Sequence, residues 1–205
     1  MFVTLTLTAL ASVSLDLAAY NDQPSSECDS AGNITNVTLA LLQLSATGDS
    51  ARDAAAGWAA CETAAAWADL AIFPSSWPIE CDVAAQAAVS ARLGLAIMGT
   101  CSTGQITLTD ANGTAVLSSA GAVAELPTPA GRLSVGVLAG QDELWAPLAA
   151  RALMLGGAEL LVVPVEAHAA DEEDASAQDA LLLSRGFENA AAVARVNHAG
   201  ARGDG

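Results

Sequence analysis

The fold of this chain is decided by residues 131–164, GRLSVGVLAGQDELWAPLAARALMLGGAELLVVP. Residues 133–139 form an apolar run as long as a buried strand, and Gly140 ends it. Residues 146–155 are rich in Ala, Leu and Met, which favour a helix, and Pro147 suits its first turn because the missing N–H costs nothing there. Gly156-Gly157 predicts a left-handed end to this helix, and residues 158–163 predict a second buried strand.

This strand–helix–strand pattern predicts two parallel strands joined by a right-handed crossover. In open α/β sheets the chemistry lies just beyond the C-terminal ends of the strands, which here is Gly140-Gln141-Asp142. Asp142 and Glu143 are expected just before a helix that starts near Trp145, because the positive end of a helix favours carboxylates.

The same stretch resembles the nitrilase superfamily, the carbon–nitrogen hydrolases. In that family a strand is followed by C-x-D/E, a W/F-x-P-x-x-x-R helix and a G-A-E/D strand. The residues of this chain that fall in register are Glu143, Trp145, Pro147, Arg151 and Gly157-Ala158-Glu159. The register places Gln141 where the family has its nucleophilic cysteine.

Other segments resemble pieces of the same family in the same order. Residues 36–44, 68–74 and 92–100 match three family strands, and residues 181–198 match a helix and strand at Arg185, Glu188, Asn189 and Asn197. Arg185 and Glu188 are expected to pair on the helix surface. The resemblance implies an α/β fold, the nitrilase-like α-β-β-α sandwich, truncated at the C-terminus. It divides the chain into an N-terminal segment, residues 1–33, and an incomplete carbon–nitrogen hydrolase-like domain, residues 34–205.

The resemblance also implies acyl transfer through a thioester, with a cysteine nucleophile, a glutamate base and a lysine that stabilises the oxyanion. Ser75 stands where the family has its glutamate, and the lysine position falls near Gly121. The chain contains no lysine, and a serine cannot take the nucleophile's proton at neutral pH without a base of its own. The sequence therefore predicts that no triad is intact at Ser75, Gly121 and Gln141.

Three functional hypotheses remain open. The first is a degenerate carbon–nitrogen hydrolase homologue without catalytic activity, a pseudoenzyme that acts as a binding or assembly module. The second is an active amidase or nitrilase-type hydrolase that uses displaced residues, such as Cys101. The third is a non-functional gene fragment. For the first, Gln141, Glu143 and Trp145 are candidates to line a pocket for a small carboxamide-like ligand.

The resemblance also predicts a homo-oligomer. Family members pair through the helix after the nucleophile, which here spans residues 146–155. That helix is apolar on most sides, so its outer surface is expected to be buried against another subunit.

Composition excludes several other partners. The net charge is −16, from 23 acidic and 7 basic residues, and phosphate binding needs cationic contacts, so nucleic acid is not expected. No apolar run reaches the roughly 18 residues of a membrane span. The cysteines, Cys28, Cys61, Cys81 and Cys101, form no C-x-x-C pair, and the acidic run at residues 171–174 beside His168 is expected to be a solvated loop. We therefore expect neither a metal nor a cofactor.

The compartment stays open between a secreted or lumenal one and the cytoplasm. Residues 2–11 have the length of a signal-peptide core, and Asn-x-Thr sequons begin at Asn33, Asn36 and Asn112. No Lys or Arg precedes the apolar core. Four cysteines allow three pairings in an oxidising compartment, whereas a reduced interior with Cys61 on an apolar helix face is equally allowed.

The remaining elements follow from local patterns. Residues 47–50 predict a cap for a helix whose apolar stripe is Ala54, Trp58, Cys61 and Ala65. Residues 83–91 are expected to be helical. Residues 106–109 and 115–117 predict a hairpin, because Asn112-Gly113 favours a tight turn. Residues 118–131 are rich in Gly, Ala and Pro, in the segment where the resemblance places the family's lysine.

Overall fold

The computed structural model describes residues 11–15, 37–45, 47–77, 82–101, 105–138, 140–165 and 172–197; for residues 11–15, 140–142 and 172–175 only the backbone is considered. One sheet has the spatial order β1 (Ala11–Leu15), β2 (Val37–Leu41), β3 (Leu70–Ile72), β4 (Ala96–Thr100), β5 (Ile106–Thr109) and β6 (Ala115–Leu117). The other runs from β10 (Ala192–Val196) through β9 (Leu160–Pro164) and β8 (Gly131–Val137) to β7 (Val123–Thr128). The helices are α1 (Ser50–Ala64), α2 (Val83–Leu93), α3 (Gly140–Trp145), α4 (Pro147–Leu155) and α5 (Glu172–Asn189).

The two sheets pack face to face, and helices cover their outer faces. Alternate strand residues point to opposite sides, so Ile72 joins the apolar layer shared with Val137 of the other sheet. Phe73 points outward and packs with Cys61 of α1. Leu153 of α4 and residues of β9 form the corresponding outer layer of the second sheet. The architecture is therefore the α-β-β-α sandwich, as the sequence predicts.

The strand–helix–strand unit at residues 131–164 is confirmed, with one correction. Strands β8 and β9 are parallel, Pro147 is the first residue of α4, and Gly157 has a φ of +94° at the helix end. However, Asp142 and Glu143 lie inside a separate short helix, α3, and not directly at the N-terminal end of the helix that Pro147 begins. Ala146 separates the two helices with an extended backbone, φ −90° and ψ 100°, because a residue before proline is biased towards that conformation.

Helix α1 begins as the sequence predicts, but it buries a different face. Asp49 caps it by accepting hydrogen bonds from the N–H groups of Ala51 and Arg52. The buried residues are Asp53, Gly57, Ala60, Cys61 and Ala64, with the expected Ala54, Trp58 and Ala65 half-buried beside them. Gly57 decides this rotation, since a Cβ there would lie 2.6 Å from Nε1 of Trp77 and 2.8 Å from Cε1 of Phe73.

Two further segments differ from the sequence predictions, and two strands, β1 and β7, form in segments for which the sequence analysis assigns no element. Residues 92–93 extend α2, which Gly94 ends with a φ of +63°, so β4 starts only at Ala96. Residues 123–128 form β7, and residues 11–15 form β1, antiparallel to β2. The acidic residues at 172–174 begin α5 and are not a loop, because carboxylates suit the N-terminal end of a helix. Within the described ranges, none of the helices combines the length and apolarity that a bilayer crossing requires.

Candidate functional site

The turn after β3 holds Ser75. It is half-buried and is followed by Ser76, whose φ of +56° is uncommon for a residue other than glycine. The next residue, Trp77, is fully buried against Gly57 of α1. The chain therefore makes a sharp turn at residues 75–76 and then inserts Trp77 into the outer core.

Gly121 lies beside the C-terminal end of β8. Its N–H donates a hydrogen bond of 3.1 Å to the carbonyl oxygen of Val137, the last residue of that strand. Gln141 follows four residues later, in the first turn of α3. The structure therefore brings two of the three sequence-predicted positions to the same strand end.

The backbone at Gly121 does not favour a side chain. Its φ is +74°, a left-handed conformation that glycine adopts readily and that residues with a side chain, apart from Asn and Asp, rarely adopt. No atom lies within 4 Å of a Cβ built there, so the obstacle is conformational and not steric crowding.

The two other pocket candidates lie on α3. Glu143 is half-buried in the middle of that helix. Trp145 ends the helix, with 51% of its surface exposed on the outer helix layer. The placement of Gln141 is described for its backbone alone.

Arg185 of α5 holds the C-terminal end of α3. Its Nε donates to the carbonyl oxygen of Leu144 at 3.0 Å, and its Nη2 lies 3.5 Å from that of Trp145. Its Nη1 pairs with Glu188 at 2.9 Å, so the expected ion pair is present. The expected surface location of Arg185 is wrong, because its side chain is only 6% exposed while that of Glu188 is 50% exposed. The sequence pattern missed this role, since two helix carbonyls 40 and 41 residues away leave no local signal.

The two described cysteines are not available as thiolates. Cys101, the candidate displaced nucleophile, is disulfide-bonded and 3% exposed. Cys61 is free and fully buried, and burial, followed by the charge of Glu62, raises its thiol pKa to about 12. Since the thiolate is the nucleophilic form, neither sulfur is ready for attack on a carbonyl at neutral pH.

The carboxylate of Asp53 has a structural role. It accepts hydrogen bonds from the Thr47 hydroxyl at 2.6 Å and from the Thr47 N–H at 2.9 and 3.0 Å, which fixes the loop between β2 and α1. The Thr47 hydroxyl is the largest influence that lowers the pKa of Asp53. Across the described ranges there is no group of three His, Cys, Asp or Glu residues placed to hold a metal ion. His168, His198, Cys28 and Cys81 lie outside those ranges.

Comparison with known proteins gives matches among solved structures. No family model and no curated protein matches the chain. A carbon–nitrogen hydrolase from Helicobacter pylori G27 superposes with a TM-score of 0.62 at 15% identity, over 79% of this chain and 73% of that one. A mutant amidase from Nesterenkonia sp. AN1, in complex with butyramide, gives a TM-score of 0.64 at 19% identity, over 78% and 76%.

A third structure, the NitFhit protein of C. elegans, gives a TM-score of 0.66 at 14% identity, over 81% of this chain and 52% of that one. Identities this low establish the shared architecture alone. Another mutant of the Nesterenkonia AN1 amidase, which belongs to the nitrilase superfamily, superposes with a TM-score of 0.62 at 21% identity. The chain therefore has the nitrilase-superfamily fold of the carbon–nitrogen hydrolases.

Proposed function

We propose that this chain is a degenerate carbon–nitrogen hydrolase homologue without catalytic activity, which acts as an assembly module. The observation that carries the proposal is the joint replacement of nucleophile, base and cation, by Gln141, Ser75 and a residue near Gly121. Each missing group removes a different step: attack on the carbonyl carbon, proton transfer, and stabilisation of the oxyanion. The loss of one oxyanion donor alone costs about 2.7–4 kcal/mol of transition-state stabilisation.

Solved relatives show covalent chemistry at the family's cysteine. In a mutant of the Nesterenkonia amidase, acrylamide and the acetamide moiety of fluoroacetamide add covalently to the active-site cysteine. This chain has Gln141 at the position that the family register assigns to a cysteine, and the carboxamide of glutamine forms no thioester. The left-handed backbone at Gly121 further supports the loss of the lysine, because a lysine in that conformation would be strained.

The alternative mechanism with displaced residues needs another nucleophile. Cys101 is the sequence candidate, and its disulfide removes the thiolate that such a mechanism requires. Cys61 lies on the buried face of α1 in the outer core, where it has no path to a substrate. Both observations favour the inactive form over a displaced mechanism.

The assembly role rests on an outer apolar face formed by Trp145, Leu148 and Leu155 of α3 and α4 and by Leu183 and Phe187 of α5. Leu148, Leu155 and Phe187 are 79%, 74% and 79% exposed. Leu148 and Leu155 are seven residues apart, and Leu183 and Phe187 four apart, so each pair lies on one side of its helix. Helix α4 packs beside α5. Exposed apolar surface of this kind marks an association site, and we propose that a second copy of the chain covers it.

The catalytic half of the proposal is tested by ammonia release from butyramide and other short amides and nitriles. We expect no turnover above the uncatalysed background. Turnover that is clearly measurable in the parent chain and is abolished by Cys101→Ser would establish the displaced mechanism in its place.

The assembly half is tested by sedimentation velocity at micromolar concentration. We expect a dimer or larger species, which the double variant Leu148→Glu/Phe187→Glu converts to monomer. Trp67→Glu is the matched control, because Trp67 is 37% exposed but follows α1 on the opposite helix layer. A parent chain that sediments as a clean monomer, or an assembly that responds only to Trp67→Glu, would refute this half.

A further inference from the structure

We propose that Asn112 is an N-glycosylation site and that the β5–β6 hairpin carries an oligosaccharide. The tripeptide Asn112-Gly113-Thr114 is an Asn-x-Thr acceptor sequence and forms the tip of this hairpin. Asn112 and Thr114 are both exposed, so an attached sugar would extend into water without displacing a packed side chain.

The turn does not use the acceptor side chains. The buried carboxylate of Asp110 accepts hydrogen bonds from the N–H groups of Asn112 at 2.9 Å and Thr114 at 2.7 Å. The backbone of Asp110 also pairs with the Thr114 carbonyl oxygen at 2.9 Å. These bonds close the hairpin through Asp110, which leaves the Asn112 amide and the Thr114 hydroxyl at the surface.

The usual turn preference for asparagine also does not explain Asn112. Asparagine is common in turns partly because it tolerates a positive φ. Among the described residues other than glycine only Ser76 and Ala190 have a positive φ, so Asn112 does not use that property. Gly113 is the residue that the turn requires: its φ is +81°, and a Cβ there would overlap the carbonyl oxygen of Ala87 in α2.

An independent observation concerns the compartment. Cys101 lies just after β4 and is disulfide-bonded. Disulfides form and persist in oxidising compartments, such as the lumen of the endoplasmic reticulum, and are rare in the cytosol. An exposed Asn-x-Thr acceptor in a chain that passes through that lumen meets the enzymes that transfer oligosaccharides to asparagine.

The chemical step balances with a lipid pyrophosphate-linked oligosaccharide as donor. The amide nitrogen of Asn112 attacks the anomeric carbon of the first sugar, which forms a carbon–nitrogen bond. The bond between that carbon and the pyrophosphate oxygen breaks. The amide loses one proton, and the lipid pyrophosphate leaves with the electron pair. A separate transferase catalyses the step, and this chain supplies only the acceptor.

The test is peptide mapping of the full chain, isolated from its own cells and from a secretory eukaryotic host. A peptide N-glycosidase removes the sugar and converts a modified Asn112 to aspartate, which mass spectrometry detects at that residue independently of Asn33 and Asn36. We expect most molecules to carry a glycan at Asn112. Thr114→Ser should retain it, whereas Thr114→Ala and Asn112→Gln should lose it with an unchanged unfolding temperature, since Asp110 holds the turn.

Two outcomes overturn the proposal. One is an unmodified Asn112 in molecules whose Cys101 is disulfide-bonded, because the acceptor would then have passed through the right compartment without reaction. The other is a reduced Cys101 in chains isolated from their own cells, because the chain would then never have reached an oxidising compartment.

Discussion

Replacing Arg185 by methionine should loosen the end of α3 and destabilise the whole chain. Methionine keeps the apolar stem but removes the donor to the Leu144 carbonyl oxygen, 3.0 Å away, and the weaker contact to that of Trp145, 3.5 Å away. Leu144 is fully buried, so its carbonyl is left without a partner at a cost of about 1–3 kcal/mol. The lost pair with the half-exposed Glu188 adds roughly 0–1 kcal/mol.

The sum is a loss of about 1–4 kcal/mol in the free energy of unfolding. For a chain of this length each kcal/mol lowers the unfolding temperature by about 2–4 °C, so we expect a fall on the order of 2–16 °C. Thermal and denaturant unfolding give the global value. Amide hydrogen exchange at residues 143–145 should accelerate before the sheets respond, because the missing contact is local to α3.

The matched control is Arg132→Met. Arg132 pairs with Glu125 at 2.8 Å, as closely as Arg185 pairs with Glu188, but its side chain is 74% exposed. We therefore expect a change of at most about 1 kcal/mol in the control. Two results would refute this reasoning: an equal loss of unfolding free energy in the two variants, or a loss under about 1 kcal/mol for Arg185→Met. Either would show that burial of the guanidinium does not make its contacts more stabilising than those of an exposed pair.

Two further predictions concern pH and the triad positions. The pKa of Asp53 is lowered, first by the hydrogen bond from the Thr47 hydroxyl, so the stability that the carboxylate contributes is present above its ordinary pKa of 3.8 and is lost as pH falls through the folded-state pKa. The variant Asp53→Asn should therefore flatten the acid limb of a curve of stability against pH. An unchanged acid limb would count against this role of Asp53. The triple variant Ser75→Glu/Gly121→Lys/Gln141→Cys should form no thioester with an activated amide in intact-mass measurements, because catalysis needs reacting atoms held at about 3–3.5 Å and lysine is strained at a φ of +74°. A stoichiometric thioester followed by turnover would show instead that only three side chains were lost.

The sequence predicts the layers of this fold better than it predicts how the layers dock. Apolar periodicity and the family resemblance identify β8, α4 and β9, because burial of a strand and the capping of a helix depend on neighbouring residues. The buried face of α1 differs from the predicted apolar stripe, because Phe73 and Trp77 pack closely against α1 at Gly57, where there is no room for a side chain. Long-range contacts of this kind are absent from any local pattern.

The same limit applies to polar side chains. Gln86 of α2 appears in the sequence as an ordinary helix residue, yet it is buried and donates to the Ile97 carbonyl oxygen at 2.8 Å while accepting from the Thr107 hydroxyl at 2.7 Å. At the candidate site, the order of the matched segments is enough to place Gly121 near the family's lysine position and Gln141 at its cysteine position. The hydrogen bond from Gly121 to Val137 and the left-handed backbone at Gly121 follow only from the packed chain.

The proposed combination of a nitrilase-like fold with an absence of catalysis can be tested by the intact mass of the folded chain after incubation with fluoroacetamide. In a mutant of the Nesterenkonia amidase the acetamide moiety of this reagent adds to the active-site cysteine, so that mutant is the positive control. We predict an unchanged mass for this chain, because Gln141 is not a nucleophile and, of the cysteines that the structure describes, Cys101 is disulfide-bonded and the Cys61 thiol is buried with a pKa of about 12. A single stoichiometric acetamide adduct on the folded chain, mapped to one residue, would contradict the claim.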